Sequence, residues 1–159
     1  MMNEILGGSP ISRLFTEVRE KQSLCYYCTA TPDSLKGILT VCAGIRDDNR
    51  QKAEDAILMQ IDAMQQGIFT NEEMSAALHA IESALLGIRD SRATLESFTM
   101  RRLLAGADTS PQAYLEALRA VTREQITACA NKLSLDTVFY LKPEDPKGGD
   151  KDAYEYEEA

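Results

Sequence analysis

Arg19 and Tyr26, seven positions apart, carry the chemistry this sequence is best equipped to do. Arginine presents a planar fork of N–H donors that can grip the carbonyl oxygens of a peptide backbone. A tyrosine hydroxyl can donate to the oxygen that turns negative when water attacks a peptide bond. Residues 20–23 between them read as a turn from a helix into a strand. The arginine would then stand at a helix carboxyl end and the tyrosine on the adjoining strand. The plain alternative is that Arg19 pairs with Glu17 or Glu20 on the surface and Tyr26 packs within a sheet. Spacing alone leaves both open.

Other chemistries find less support. Zinc hydrolysis on a helix needs H-x-x-E-H, two histidines four apart with a glutamate between them to activate water. The chain has one histidine, and the run His79-x-x-Glu82-Ser83 puts serine where the second ligand belongs. His79 falls one position off its helix's apolar stripe, so it reads as a solvent-facing residue. A Cys–His or Ser–His dyad would have to use that same histidine. Gly7 and Gly8 lack the spacing and the lysine of a phosphate-binding loop. Cys25 and Cys28 form a C-x-x-C, but residues three apart on a strand point to opposite faces, so their sulfurs could share a metal only across a bend. With Cys42 and Cys129 standing alone, the four read as thiols of a reducing cytoplasm.

The positioning elements follow from periodicity and caps. Ser9-Pro10 reads as a helix start, with Ile11, Leu14, Phe15 and Val18 on its apolar face. Residues 24–30 and 37–44 read as two antiparallel strands joined through a break at 31–34. Asp48 with Gln51 predicts the next helix, whose stripe is Ala53, Ala56, Ile57, Ile61 and Met64, closed by Gly67. Thr70 with Glu73 opens another, with Met74, Ala77, Leu78, Ile81, Leu85 and Ile88 on one face. Asp90-Ser91 interrupts, and a helix over 92–105 ends at Gly106. Ser110-Pro111 and Thr122 with Gln125 open two short helices, the second holding Ile126, Cys129, Ala130 and Leu133. Residues 137–141 predict a last strand. The fold class is α+β, a mostly antiparallel sheet with helices layered on one face.

The run L-G-G-S-P (6–10) leads into S-R-L-F-T-E-V-R-E-K-Q-S-L-C-Y-Y (12–27). This combination resembles the carboxyl-terminal, substrate-holding half of the pitrilysin/insulinase family of zinc metallopeptidases, the inverzincins. The resemblance implies that Arg19, in V-R-E-K, grips the substrate backbone and that Tyr26, in L-x-Y, supports the oxyanion. It implies that Arg13 is architectural and pairs with an acid; Tyr27, on the other face of the strand from Tyr26, reads as a packing residue. It further implies that zinc comes from the amino-terminal half or from a homologous partner subunit, the two closing around an unfolded peptide. Many members read R-E-K-x-G-L-A-Y; here Ser23 and Cys25 replace the glycine and the alanine. Serine at that place is costly if the turn needs positive φ.

At 159 residues the chain is one domain by length, with 44% hydrophobic residues and a formal net charge of −8. That charge argues against phosphate-directed nucleic-acid binding. No apolar run approaches the roughly 20 residues of a membrane span. The opening residues do not read as a secretory signal. They look like the last turn of a helix with its glycine stop, which suggests a piece of a longer peptidase-family domain missing its first strand. Residues 1–143 form that α+β unit, and 144–159 an acidic tail that can be removed without unfolding it. The sequence therefore predicts a peptide-holding domain, inactive by itself, of a metalloendopeptidase. The alternative is a metal-free binding or scaffolding subunit, and a third reading is a plain interaction domain in which these motifs serve only packing.

Overall fold

A computed structural model of the chain describes residues 1–108 and 110–142. The predicted acidic tail, 144–159, lies outside the described residues. The chain opens with two short segments of π-helical hydrogen bonding, Glu4–Gly8 and Leu14–Lys21. Strand β1 (Cys25–Asp33) and antiparallel β2 (Ile38–Ile45) form a hairpin. One turn of 3₁₀ helix, Asp47–Asn49, leads into helices α1 (Arg50–Gln65) and α2 (Asn71–Gly87). A second 3₁₀ turn, Ile88–Asp90, precedes α3 (Arg92–Leu104), α4 (Pro111–Arg119) and α5 (Arg123–Ala130).

The sheet buries one face. Cys28 and Ala30 of β1 face a core built with Leu6, Leu14 and Val18 of the π-helical segments. Ala56, Met64, Ala77, Ile126 and Ala130 of α1, α2 and α5 back that layer. Gly7 is what lets the first segment lie against β1: a Cβ there would fall 2.7 Å from the Ala30 backbone nitrogen and Cβ, and 2.8 Å from Leu14. A smaller cluster, Leu85, Ile88 and Leu118, joins α2 to α4. Arg123 ties α5 to the α1–α2 connection. It donates to the carbonyls of Gly67 and Phe69 and to Asn71 Oδ1 at 2.7 Å, with its guanidinium stacked on Phe69.

Several capping signals act as read. Thr70 with Glu73 and Thr122 with Gln125 form reciprocal capping boxes. Ser110 caps α4 with Pro111 in its first turn, and Gly67 and Gly106 take positive φ. Other expectations fail for local reasons. Ser9 does not cap the next helix: the chain turns over 9–12, fastened by Ser12 Oγ donating to the Ser9 carbonyl at 2.6 Å, and helical bonding begins at Ser12, whose carbonyl accepts from the Thr16 amide at 2.9 Å. The wider π turn buries Leu14 and Val18, four apart, and leaves Ile11 57% exposed. Asp48 does not cap α1, because the 3₁₀ turn intervenes and makes Asn49 the boundary residue. β1 runs on through the expected break to Asp33, whose Oδ1 then accepts from the Leu35 and Lys36 amides across the hairpin turn.

The last strand is the largest departure. Residues 137–141 have no ladder partner among the described residues, and Phe139 and Leu141 are 80% and 88% exposed. Side chains fasten this stretch instead. Tyr140 donates its hydroxyl to Glu54, Arg50 stacks 3.6 Å over the Tyr140 ring, and Lys142 pairs with Asp47 at 2.7 Å. Strand propensity describes a pleated surface and does not supply the neighbour that makes a ladder.

Candidate functional site

Arg19 and Tyr26 meet at the mouth of a groove of about 770 Å³, lined also by Glu20, Ser23, Leu24, Cys25, Arg46 and Asn49. Arg19 stands near the end of the second π-helical segment. Its Nε donates to the Tyr26 carbonyl oxygen at 2.8 Å, and its guanidinium lies 4.4 Å from the Phe15 ring centroid. The Nη groups have no hydrogen-bond or ion-pair partner among the described residues. The surface pairing considered for Arg19 is not formed: Glu17 is held by Lys21 at 2.7 Å. One donor and one stacked face thus fix the guanidinium plane and leave its outer nitrogens beside the groove.

The turn that sets this geometry is strained. Ser23 has φ 51, a left-handed conformation that L-residues adopt at a cost. Its amide donates to the Arg19 carbonyl at 3.1 Å, and the Leu24 amide to the Val18 carbonyl at 3.2 Å, so the helix end and strand start are locked together. Positive φ is therefore required where the sequence has serine in place of glycine.

Tyr26 owes its placement to a β-bulge. Cys25 pairs with Ile45 and Tyr27 with Gly44, which leaves Tyr26 as one extra residue in β1. Simple alternation would turn Tyr26 to the side of Cys28 and Ala30, both buried. It is instead 70% exposed, and Cys25 packs against the core. Bulges re-aim side chains in this way, commonly beside functional sites. Tyr27 is 53% exposed, its ring lying over Gly44 so closely that a Cβ there would come within 2.5 Å of it.

The bulge also corrects the reading of C-x-x-C. By removing one alternation it puts Cys25 and Cys28 on the same side, both against the core. Burial pushes the Cys28 thiol up to about 12, and burial raises that of Cys25 as well. Two protonated thiols packed on a core are poor ligands and poor nucleophiles at neutral pH.

The other candidate does not suit a metal. His79 is 77% exposed, with Nδ1 3.4 Å from Glu82. Glu82 is claimed by Arg119 at 2.8 Å, whose hydrogen bond, with a smaller contribution from His79, holds its carboxyl below the usual glutamate range. Ser83, one position on, offers only a hydroxyl. These residues do not fit the zinc that the resemblance implies for the assembled enzyme. Arg13 behaves as an architectural residue, bonding Glu73 at 3.0 Å and Gln60 at 3.1 Å to fix the second π-helical segment on α1 and α2.

Sequence reasoning missed Arg46, Asn49 and Phe15 as parts of this site. The signal for Arg46 lay in the hairpin register, because Ile45 opposite Cys25 puts the next residue opposite Leu24, at the groove. Asn49 Nδ2 donates to the Leu24 carbonyl at 3.4 Å and braces the groove from the start of α1.

Comparison with known proteins follows the same lines. The family described as the peptidase M16 inactive domain matches residues 1–81 of the 159. The probable inactive metalloprotease YmfF of Bacillus subtilis (strain 168) is 32% identical over 142 residues, 89% of this chain and 33% of that protein. An uncharacterized zinc protease of the same organism, YmxG, is 26% identical over 138 residues, 84% of this chain and 33% of its own length. The chain spans about a third of the length of these relatives. A conserved protein from Enterococcus faecalis V583 superposes with a TM-score of 0.75 at 26% identity, over 82% of this chain and 31% of that one. A protease from Helicobacter pylori, at 16% identity, shares the fold with a TM-score of 0.69 over 82% of this chain and 32% of its own.

Proposed function

Since the chain belongs to the peptidase M16 family, matching its inactive domain, we propose that it forms one wall of the substrate chamber of a metalloendopeptidase. In this reading the Nη groups of Arg19 donate to carbonyl oxygens of an extended peptide in the groove. The Tyr26 hydroxyl donates to the carbonyl oxygen of the bond under attack, where negative charge develops. Activation of water, and the zinc it needs, belong to another domain or to a homologous partner subunit. The chain alone is inactive. The observation that carries the reading is the bulge at Tyr26, which turns a phenol out of the core side and sets it beside a guanidinium already fixed in its plane.

A second reading has support from the relative named a probable inactive metalloprotease. There the same wall binds peptide in a non-catalytic partner subunit. In both readings the protein works in the cytoplasm, in keeping with four free cysteines, one of them fully buried. No helix among the described residues is long and apolar enough to cross a membrane. Peptide, rather than nucleic acid, is the ligand of an acidic chain whose groove carries guanidinium groups and a phenol.

Steady-state kinetics of the assembled protein separate these readings. In the catalytic one, Tyr26→Phe lowers kcat by about 10²–10³-fold with little change in KM, because the donor acts on charge present only in the transition state. In the non-catalytic one, the parent turns nothing over and Tyr26→Phe leaves peptide binding unchanged. Full activity of a parent carrying both Tyr26→Phe and Arg19→Lys would sink the assignment of either residue to substrate.

A further inference from the structure

We propose that Arg46 makes this groove select peptides that carry an acidic side chain next to the stretch of backbone held by Arg19. The inference rests on the peptide-holding reading above. Arg46 follows β2 directly, and the register that sets Ile45 opposite Cys25 carries it past the strand pair, opposite Leu24, into the groove lining. The groove therefore has two guanidinium groups against one carboxylate, Glu20, in a chain whose net charge is −8.

The neighbouring acids already have basic partners. Glu17 is paired with Lys21, and Asp47 with Lys142, each at 2.7 Å. Arg46 has a partner of its own in Asp48, at 3.2 Å, but the two side chains are 63% and 66% exposed. An ion pair so open to water is weak and readily exchanged. A substrate carboxylate held in the groove is less hydrated and can accept two parallel N–H bonds from the same fork. Glu20 lies on the Arg19 side, so the preference falls on a single substrate position near Arg46 and not on acidity along the whole peptide.

The test is fluorescence anisotropy of labelled unstructured peptides with the full chain. One glutamate is moved along an otherwise neutral sequence, and each peptide is paired with its glutamine counterpart. At one position the glutamate peptide should bind about three- to tenfold more tightly at low salt, with the gap narrowing as salt is raised. Arg46→Gln should cut the gap below about twofold while leaving glutamine peptides bound as before, and Arg46→Glu should reverse it in favour of glutamine. Melting curves establish that both variants fold. Equal binding of glutamate and glutamine peptides by the unaltered chain, or a gap that survives Arg46→Gln, overturns the inference but leaves the backbone grip of Arg19 standing. Failure of every peptide to bind overturns both.

Discussion

Replacing Ser23 with glycine should make the protein more stable, although glycine usually weakens a fold. Ser23 sits at φ 51 in the turn between Arg19 and Tyr26. An L-residue in the left-handed region costs about 1–2 kcal/mol. Glycine relieves that strain but loses about 0.5–1 kcal/mol more in backbone freedom on folding. The difference leaves Ser23→Gly about 0.5–1 kcal/mol more stable, which in a chain of this size raises Tm by about 1–4 °C. The two amide bonds of the turn, Ser23 to Arg19 and Leu24 to Val18, involve backbone only and survive the change. Ser23→Val supplies the opposite control, since a β-branched side chain tolerates positive φ poorly and should lower Tm. Differential scanning calorimetry with urea titration would measure both. A glycine variant melting at or below the parent, or a valine variant melting with it, would refute the strain argument.

Three further outcomes follow from the packing. Gly7→Ala should destabilise by about 1–3 kcal/mol in urea unfolding, because the new Cβ meets the Ala30 backbone, which cannot step aside. Arg123→Ala should cost about 1.5–3 kcal/mol by the same measurement, since one guanidinium holds the Gly67 and Phe69 carbonyls and Asn71. Mass-resolved alkylation should modify the exposed Cys42 and Cys129 first, the half-buried Cys25 more slowly and the buried Cys28 last. The Cys28 thiol is pushed up to about 12 in the folded chain from 9.0, so the unfolded chain loses that proton first. Its contribution is intact below pH 9.0 and is lost as pH rises toward 12; urea midpoints should fall over that window, and less steeply in Cys28→Ala.

Much of the architecture was legible because its signals are local. A capping box needs only Thr70 and Glu73 or Thr122 and Gln125, and a stop such as Gly106 needs only its own φ. The order of two antiparallel strands and the later helices came from the same grammar. The rest depends on partners that local pattern does not name. Nothing in residues 137–141 tells the chain that Glu54 and Asp47 will fasten it in place of a strand. The π-helical bonding of Leu14–Lys21 is invisible to a 3.6-residue stripe, and it decides that Ile11 stays outside. At the site, spacing and motif pointed to Arg19 and Tyr26. The bulge that exposes Tyr26 and turns Cys25 to the core side with Cys28 depends on the register of the opposite strand. Phe15 beneath Arg19 was legible as an apolar helix residue but not as the platform of a cation.

Peptide affinity of the full chain, compared among the parent, Arg19→Lys and Tyr26→Phe, tests the central claim most directly. A labelled unstructured peptide is titrated, with melting curves to separate lost contact from lost fold. Lysine cannot reproduce the planar fork, its Nε bond to the Tyr26 carbonyl or its stacking on Phe15, so Arg19→Lys should weaken binding by about tenfold or more. Tyr26→Phe should bind within about twofold of the parent, because its hydroxyl is reserved for charge that appears only during attack. Three proteins that fold alike and bind peptide alike, or that bind none, would contradict the claim that this wall holds substrate through Arg19.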